Sequence, residues 1–291
     1  MEHGASRLTK AKRLIQVLGP AGFAKQAGSS IRQSLERQAE IVLMRGITPK
    51  AFQAQIDHVD RLKLRLDRFM ISPWLDFKVI TSLPVAQRDD IQARAKRILA
   101  HEFDLVGSGP VILGPTVDWL SDWVTGHHWP AAHWHRIDAH VGNGTDIKRP
   151  QSLSRFQHVP LLAQASWLSG DGVYALEFAR QVESWLTANP LGKGPNWVSA
   201  MDVAIRAANW IYGAWAFRRS ALPQSFWEHL FRALHDHGTF IRSHLQDTEV
   251  RGHPYVADLT GLLYLGALFG DIPQGKAWWE FAYRELMVAL A

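Results

Sequence analysis

Apolar positions along the chain recur mainly at the three- and four-residue spacing of helices that bury one face. In residues 31–44, Ile31, Leu35, Ala39 and Val42 share a side. After Thr48-Pro49 the spacing continues through Phe52, Ile56, Val59, Leu62 and Leu66, predicting a second helix over 50–69. Pro49 suits its first turn, where a missing N–H costs nothing. A loop at 72–85 and a third helix at 86–101 follow. From residue 151 the pattern predicts helices near 151–168, 172–188, 196–218, 224–246, 254–269 and 276–290. Ser-Gly-Asp-Gly at 169–172, Asn-Pro at 189–190, Leu-Pro at 222–223, Gly-His-Pro at 252–254 and Gly-Asp-Ile-Pro at 270–273 punctuate them. Short loops between long helices make neighbours antiparallel. Hairpin pairs of this kind fit a bundle, a solenoid or part of an α/α toroid, and periodicity alone leaves the three open.

Residues 102–150 break the pattern. The stretch FDLVGSGPVILG has β-branched residues around Gly-Ser-Gly-Pro, expected as a short strand pair or an irregular loop. The next thirty residues are dense in Trp and His without clean periodicity, the mark of a long structured loop held on a rigid scaffold.

Composition narrows the class. The 291 residues hold no cysteine, which excludes disulfide scaffolds, thiolate metal sites and thiol nucleophiles. No uncharged apolar run is long enough to span a membrane. The net charge of +5 is unevenly spread: residues 1–70 carry thirteen Lys/Arg against six Asp/Glu, and all thirteen Trp lie beyond them. The basic residues fall mostly on polar helix faces, so a solvated surface is expected there and no nucleic-acid partner. No signal segment is visible at the N-terminus, so a cytoplasmic location is expected, or a periplasmic one if an upstream signal precedes Met1.

Three constellations carry candidate chemistry. His127, His128, His133, His135 and His140 lie within fourteen residues, but without His-Glu-x-x-His or a spaced carboxylate. Rings packed on the scaffold are expected there, and no metal or cofactor. In PNWVSAMDVAIRAANW (195–210), Asp202, Arg206, Asn209 and Trp210 share a helical stripe. Two readings stay open: an internal Asp202–Arg206 ion pair, or a guanidinium, amide and indole face for an anionic sugar. In RGHPYVADLTGLLYLGALFGD (251–271), His253 projects from a helix entry ahead of an apolar run.

Four stretches carry a family resemblance: SRFQHVPLLAQASWLSGD (154–171), VESWLTANP (182–190), NWVSAMDVAIRAANW (196–210) and GHPYVADLTGLLYLGALF (252–269). In this order the segment from about 100 to 291 resembles the N-terminal helical toroid of the heparinase II/III and alginate-lyase-like polysaccharide lyases. The resemblance implies an all-α, incomplete (α/α) toroid of antiparallel hairpins over 101–291, preceded by a basic helical arm over 1–100. It also implies β-elimination on a uronic-acid polysaccharide such as heparan sulfate, alginate or an exopolysaccharide. A group neutralises the uronate carboxylate, a base removes the C5 proton, and an acid protonates the leaving oxygen. Aligned on Tyr255 and Ala257-Asp258, His253 takes the position of the family's neutralising Asn. Asn196, Trp197, Arg206, Asn209, Trp210 and Tyr255 are expected to line the substrate cleft.

The family's catalytic tyrosine and a following β-sandwich would lie downstream of Ala291, so a missing or separately encoded C-terminal half is expected to complete any activity. The alternative is a non-catalytic acidic-glycan-binding or assembly protein of a surface-polysaccharide pathway. A glycoside hydrolase, relying on Asp202 and Asp258, is a third reading.

Overall fold

The computed structural model describes residues 59–67, 77–246 and 252–289, all within the unit Gln55–Ala291. The helix expected at 31–44 lies outside them. That expected at 50–69 is described from Val59 as α1 (Val59–Leu66), with Val59 and Leu66 buried. A short helix, α2 (Phe77–Thr81), occupies part of the expected loop and buries Ile80. Then α3 (Val85–Leu99) faces the core with Ile91, Ala95 and Ile98, at spacings of four and three. It ends where His101 takes a left-handed conformation, φ 53°. The His101 ring is fixed there by Gly114 O at 2.5 Å and Glu177 Oε1 at 3.1 Å.

Of the two readings of this stretch, the strand pair is present: β1 (Glu102–Asp104) runs antiparallel to β2 (Pro110–Ile112), with Phe103 opposite Val111. The segment after it has little regular structure but is anchored. Trp119 is 1% exposed, stacks on Phe156 and donates to Ser184 Oγ. Buried Trp129 donates to Asp138 O. Asp122, wholly buried, accepts from the N–H groups of Val124 and Asp146 and pairs with Arg149.

Seven helices follow among the described residues: α4 (Lys148–Ser154), α5 (Val159–Ser169), α6 (Val173–Ala188), α7 (Ala200–Phe217), α8 (Gln224–Ser243), α9 (His253–Leu268) and α10 (Pro273–Ala289). The single helix expected at 151–168 is thus two. Phe156 is left-handed, φ 57°, and Pro160 has no N–H to continue the ladder across the break. Gly170, φ 71°, closes α5 with its N–H on Ser166 O. Ahead of α7, Pro195–Trp197 form a 3₁₀ turn, and Ser199 caps the helix by accepting from Asp202 N.

The order of helices in space follows from where their charges lie. Among Asp, Glu, Lys and Arg, α5 has none, α7 only Asp202 and Arg206, and α9 only Asp258. Helices apolar nearly all round must be covered on several sides. The alternate helices carry charge along one face: Glu177, Arg180 and Glu183 on α6, four residues on α8 and four on α10. Accordingly α5 packs on α7 and α7 on α9 as an inner layer, while α6, α8 and α10 return antiparallel outside it. This is the all-α arrangement of toroid hairpins that the family resemblance implies. No helix among the described residues is long and apolar enough to cross a membrane.

The inner helices approach closely because small residues meet. A Cβ on Gly261 of α9 would lie 2.7 Å from Ala204 Cβ and 2.9 Å from Ala204 Cα of α7. Helix propensity alone would make Gly261→Ala stabilising by about 1 kcal/mol. The contact is with backbone, which cannot give way locally, so we expect destabilisation by about 1–2 kcal/mol. A urea midpoint that rises instead would show that α7 and α9 do not cross there.

Candidate functional site

The three charged residues of the inner helices all lie in the first two turns of α7 or α9, at one end of the layer. Burying them requires partners. Arg206 is fully buried. Its Nε donates to His237 Nε2 at 2.9 Å, Nη1 to Ser154 O at 3.4 Å and Nη2 to Asn196 O at 3.3 Å. The guanidinium lies 4.1 Å from the Trp185 ring centre and 5.3 Å from that of Trp197. Burial lowers its pKa to about 9, with the charge of Asp202 opposing. His237 is held neutral by burial and by the adjacent guanidinium. Its Nδ1–H donates to Ala233 O, leaving Nε2 to accept.

Asp202 does not pair with Arg206 along the helix. It is bound across elements by Arg155 Nε at 2.5 Å. Asn209 Nδ2 donates to Arg155 O at 2.8 Å, so α7 grips the break between α4 and α5 twice. On α9, Asp258 is wholly buried and accepts from Gln246 N at 2.8 Å. Its other oxygen has no partner among the described residues. Burial raises its pKa to about 7, and the charge of Asp202 adds to the rise. Tyr255 is buried and donates to Glu285 Oε2 at 3.1 Å, tying α9 to α10. His253, the first residue of α9, is exposed.

Asn196, Trp197, Arg206 and Trp210 therefore do come together, but inside the packing: none is more than 2% exposed. The expectation that they line a glycan cleft is corrected, and so is that for Tyr255. The reason is helical phase. From Arg206 to Ala208 the helix turns about 200°, and the flank carrying Ala204, Ile205 and Ala208, with Asn209 at its edge, lines a groove of about 420 Å³. Ala204, Ala208 and Asn209 of α7, Ala257 and Thr260 of α9, and Gln157 from the α4–α5 break line it. Of the expected substrate residues, only Asn209 is among them. Asp202 and Asp258 are buried off the groove, which removes the arrangement a hydrolase pair would need.

The family model described as Heparinase II/III N-terminus matches residues 77–290. The chain belongs to this family. Solved structures agree with it in fold. The heparan sulfate lyase HepC of Pedobacter heparinus superimposes with a TM-score of 0.60 at 17% identity, covering 87% of this chain and 37% of that one. A heparinase III gene product gives 0.57 at 20% identity, covering 83% of this chain and 38% of that one. The chain thus spans well under half the length of the structures it matches. No curated protein sequence matches it.

Within this heparinase II/III N-terminal fold, the five loop histidines do not gather. His128 is bound by Asp118 and Ser121, and His127 lies edge-on to Trp129. His133 and His135 meet through their Nδ1 atoms, beside Trp134. No group of three or more His, Cys, Asp or Glu suited to a metal occurs among the described residues.

Sequence reasoning missed His237, although its register with Leu230, Ala233, Leu234 and Ile241 on the buried face of α8 was available as a signal. It missed the groove because alanines at 204, 208 and 257 carry no chemistry of their own.

Proposed function

We propose that this chain is the glycan-holding toroid portion of a polysaccharide lyase acting by β-elimination on a uronic-acid polymer. The observation that supports it best is the open groove between α7 and α9 in a chain of this family, with His253 exposed at the start of α9. In this reading the His253 imidazole hydrogen-bonds the uronate carboxylate, offsetting its charge as the C5 carbanion develops. Asn209, Thr260 and Gln157 offer hydrogen bonds to sugar hydroxyls. The buried Arg206 cluster fixes the α7 geometry without touching glycan. No tyrosine lines the groove among the described residues, and the acid and base are proposed to come from a further part of the protein.

The test is ultraviolet absorbance of unsaturated uronate when the full-length gene product meets heparan sulfate, alginate or a native exopolysaccharide. We expect absorbance to grow, and His253→Ala to slow it about 100-fold with an unchanged unfolding midpoint. Retention on an anionic glycan resin without any absorbance would favour the non-catalytic binding protein instead.

A further inference from the structure

A second hollow of about 310 Å³ adjoins the first: exposed Gln157 lines both. It lies between the end of α3, the β1–β2 pair and the α4–α5 break. Its walls combine three kinds of surface. Ile98, Phe103 and Leu161 give an apolar floor. Arg94 and Arg97 contribute cationic side chains that are more than half exposed. Their contacts with carboxylates are loose, 3.4 Å from Arg94 to Asp90 and 4.0 Å from Arg97 to Glu102. Exposed pairs at such distances contribute little and are readily exchanged for another anion. Asp104 and Ser152 add an acceptor and a hydroxyl.

A pyranose bearing one carboxylate or sulfate matches all three surfaces. Its apolar face covers Phe103 and Leu161, its hydroxyls donate to Asp104, and its anionic group is gripped by a planar guanidinium. Two cations against two carboxylates leave the hollow near neutral, so it selects a sugar with both charge and free hydroxyls over a bare anion. We infer that this hollow is a second saccharide subsite, which holds an acidic sugar of a chain running out of the α7–α9 groove across Gln157. The inference rests on the groove reading above and extends it by a named subsite.

The experiment compares hexasaccharides from heparan sulfate and from alginate with the matching disaccharides, by isothermal titration against the full-length protein. In an Arg94→Ala/Arg97→Ala variant we expect hexasaccharide binding to weaken about tenfold or more. Disaccharide binding and the unfolding midpoint should stay unchanged, because both side chains are exposed. Ser152→Trp, which fills the hollow without removing charge, should produce the same selective loss. Equal hexasaccharide affinity in wild type and both variants overturns the subsite while leaving the groove standing. Failure of the wild type to bind any of these oligosaccharides overturns both.

Discussion

Replacing Arg206 with alanine is expected to destabilise the domain strongly rather than to weaken glycan binding. The side chain is enclosed between two indole faces and donates to His237, Ser154 and Asn196. Its removal leaves three buried acceptors unpaired and a cavity between Trp185 and Trp197. Unpaired buried groups cost about 1–3 kcal/mol each, so losing the partner of all three costs about 3 kcal/mol or more. That is a large part of the stability of an ordinary domain. Arg206→Lys keeps a charge but loses the planar fork, and should fall between wild type and alanine. Guanidinium unfolding followed by tryptophan fluorescence reads the loss directly. A variant that unfolds at the wild-type midpoint but no longer binds anionic glycan would return Arg206 to the groove.

This outcome reverses what the α7 motif suggests when read along the chain. Spacing places Asp202, Arg206 and Trp210 on one face, and they do share it. Spacing does not say which neighbour that face meets. Burial is decided by the flanking inner helices, whose nearly charge-free sequences were legible, and by His237, some thirty residues away. The ion pair that one of the two readings placed along the helix went to Arg155 because a break in the chain presents that residue to the start of α7. The break was hidden: Phe156 carries no turn signature, and Pro160 is as compatible with a first turn as with an interruption. By contrast the Gly170 stop and the later helices followed from punctuation that local backbone chemistry enforces, and the hairpin at 102–112 was one of two readings of its stretch. His253 could be placed at a helix entry from Pro254 alone. The groove could not be seen, since it is defined by side chains that are short.

The buried acid of α9 gives the second large effect, and its sign follows from the direction of its shift. Asp258 has a folded pKa near 7 against an ordinary 3.8. Between those values the folded chain holds a proton that the unfolded chain has released, so this residue lowers stability as pH rises through that window. Three pH units correspond to about 4 kcal/mol, present in full below pH 4 and lost above pH 7. His158 acts oppositely. Burial holds its pKa down to about 4, so its contribution is complete above pH 6.5 and lost as pH falls toward 4. Asp258→Asn separates the two, because an amide oxygen can still accept from Gln246 N. At pH 8 the variant should be more stable than wild type by about 2–4 kcal/mol. At pH 4.5, where Asp258 is already neutral, the two should unfold nearly together, and both should still weaken as His158 charges. Thermal unfolding across this range tests it. A stability difference that stays constant with pH would mean that Asp258 is ionised in the fold, held by a cation rather than by its own proton.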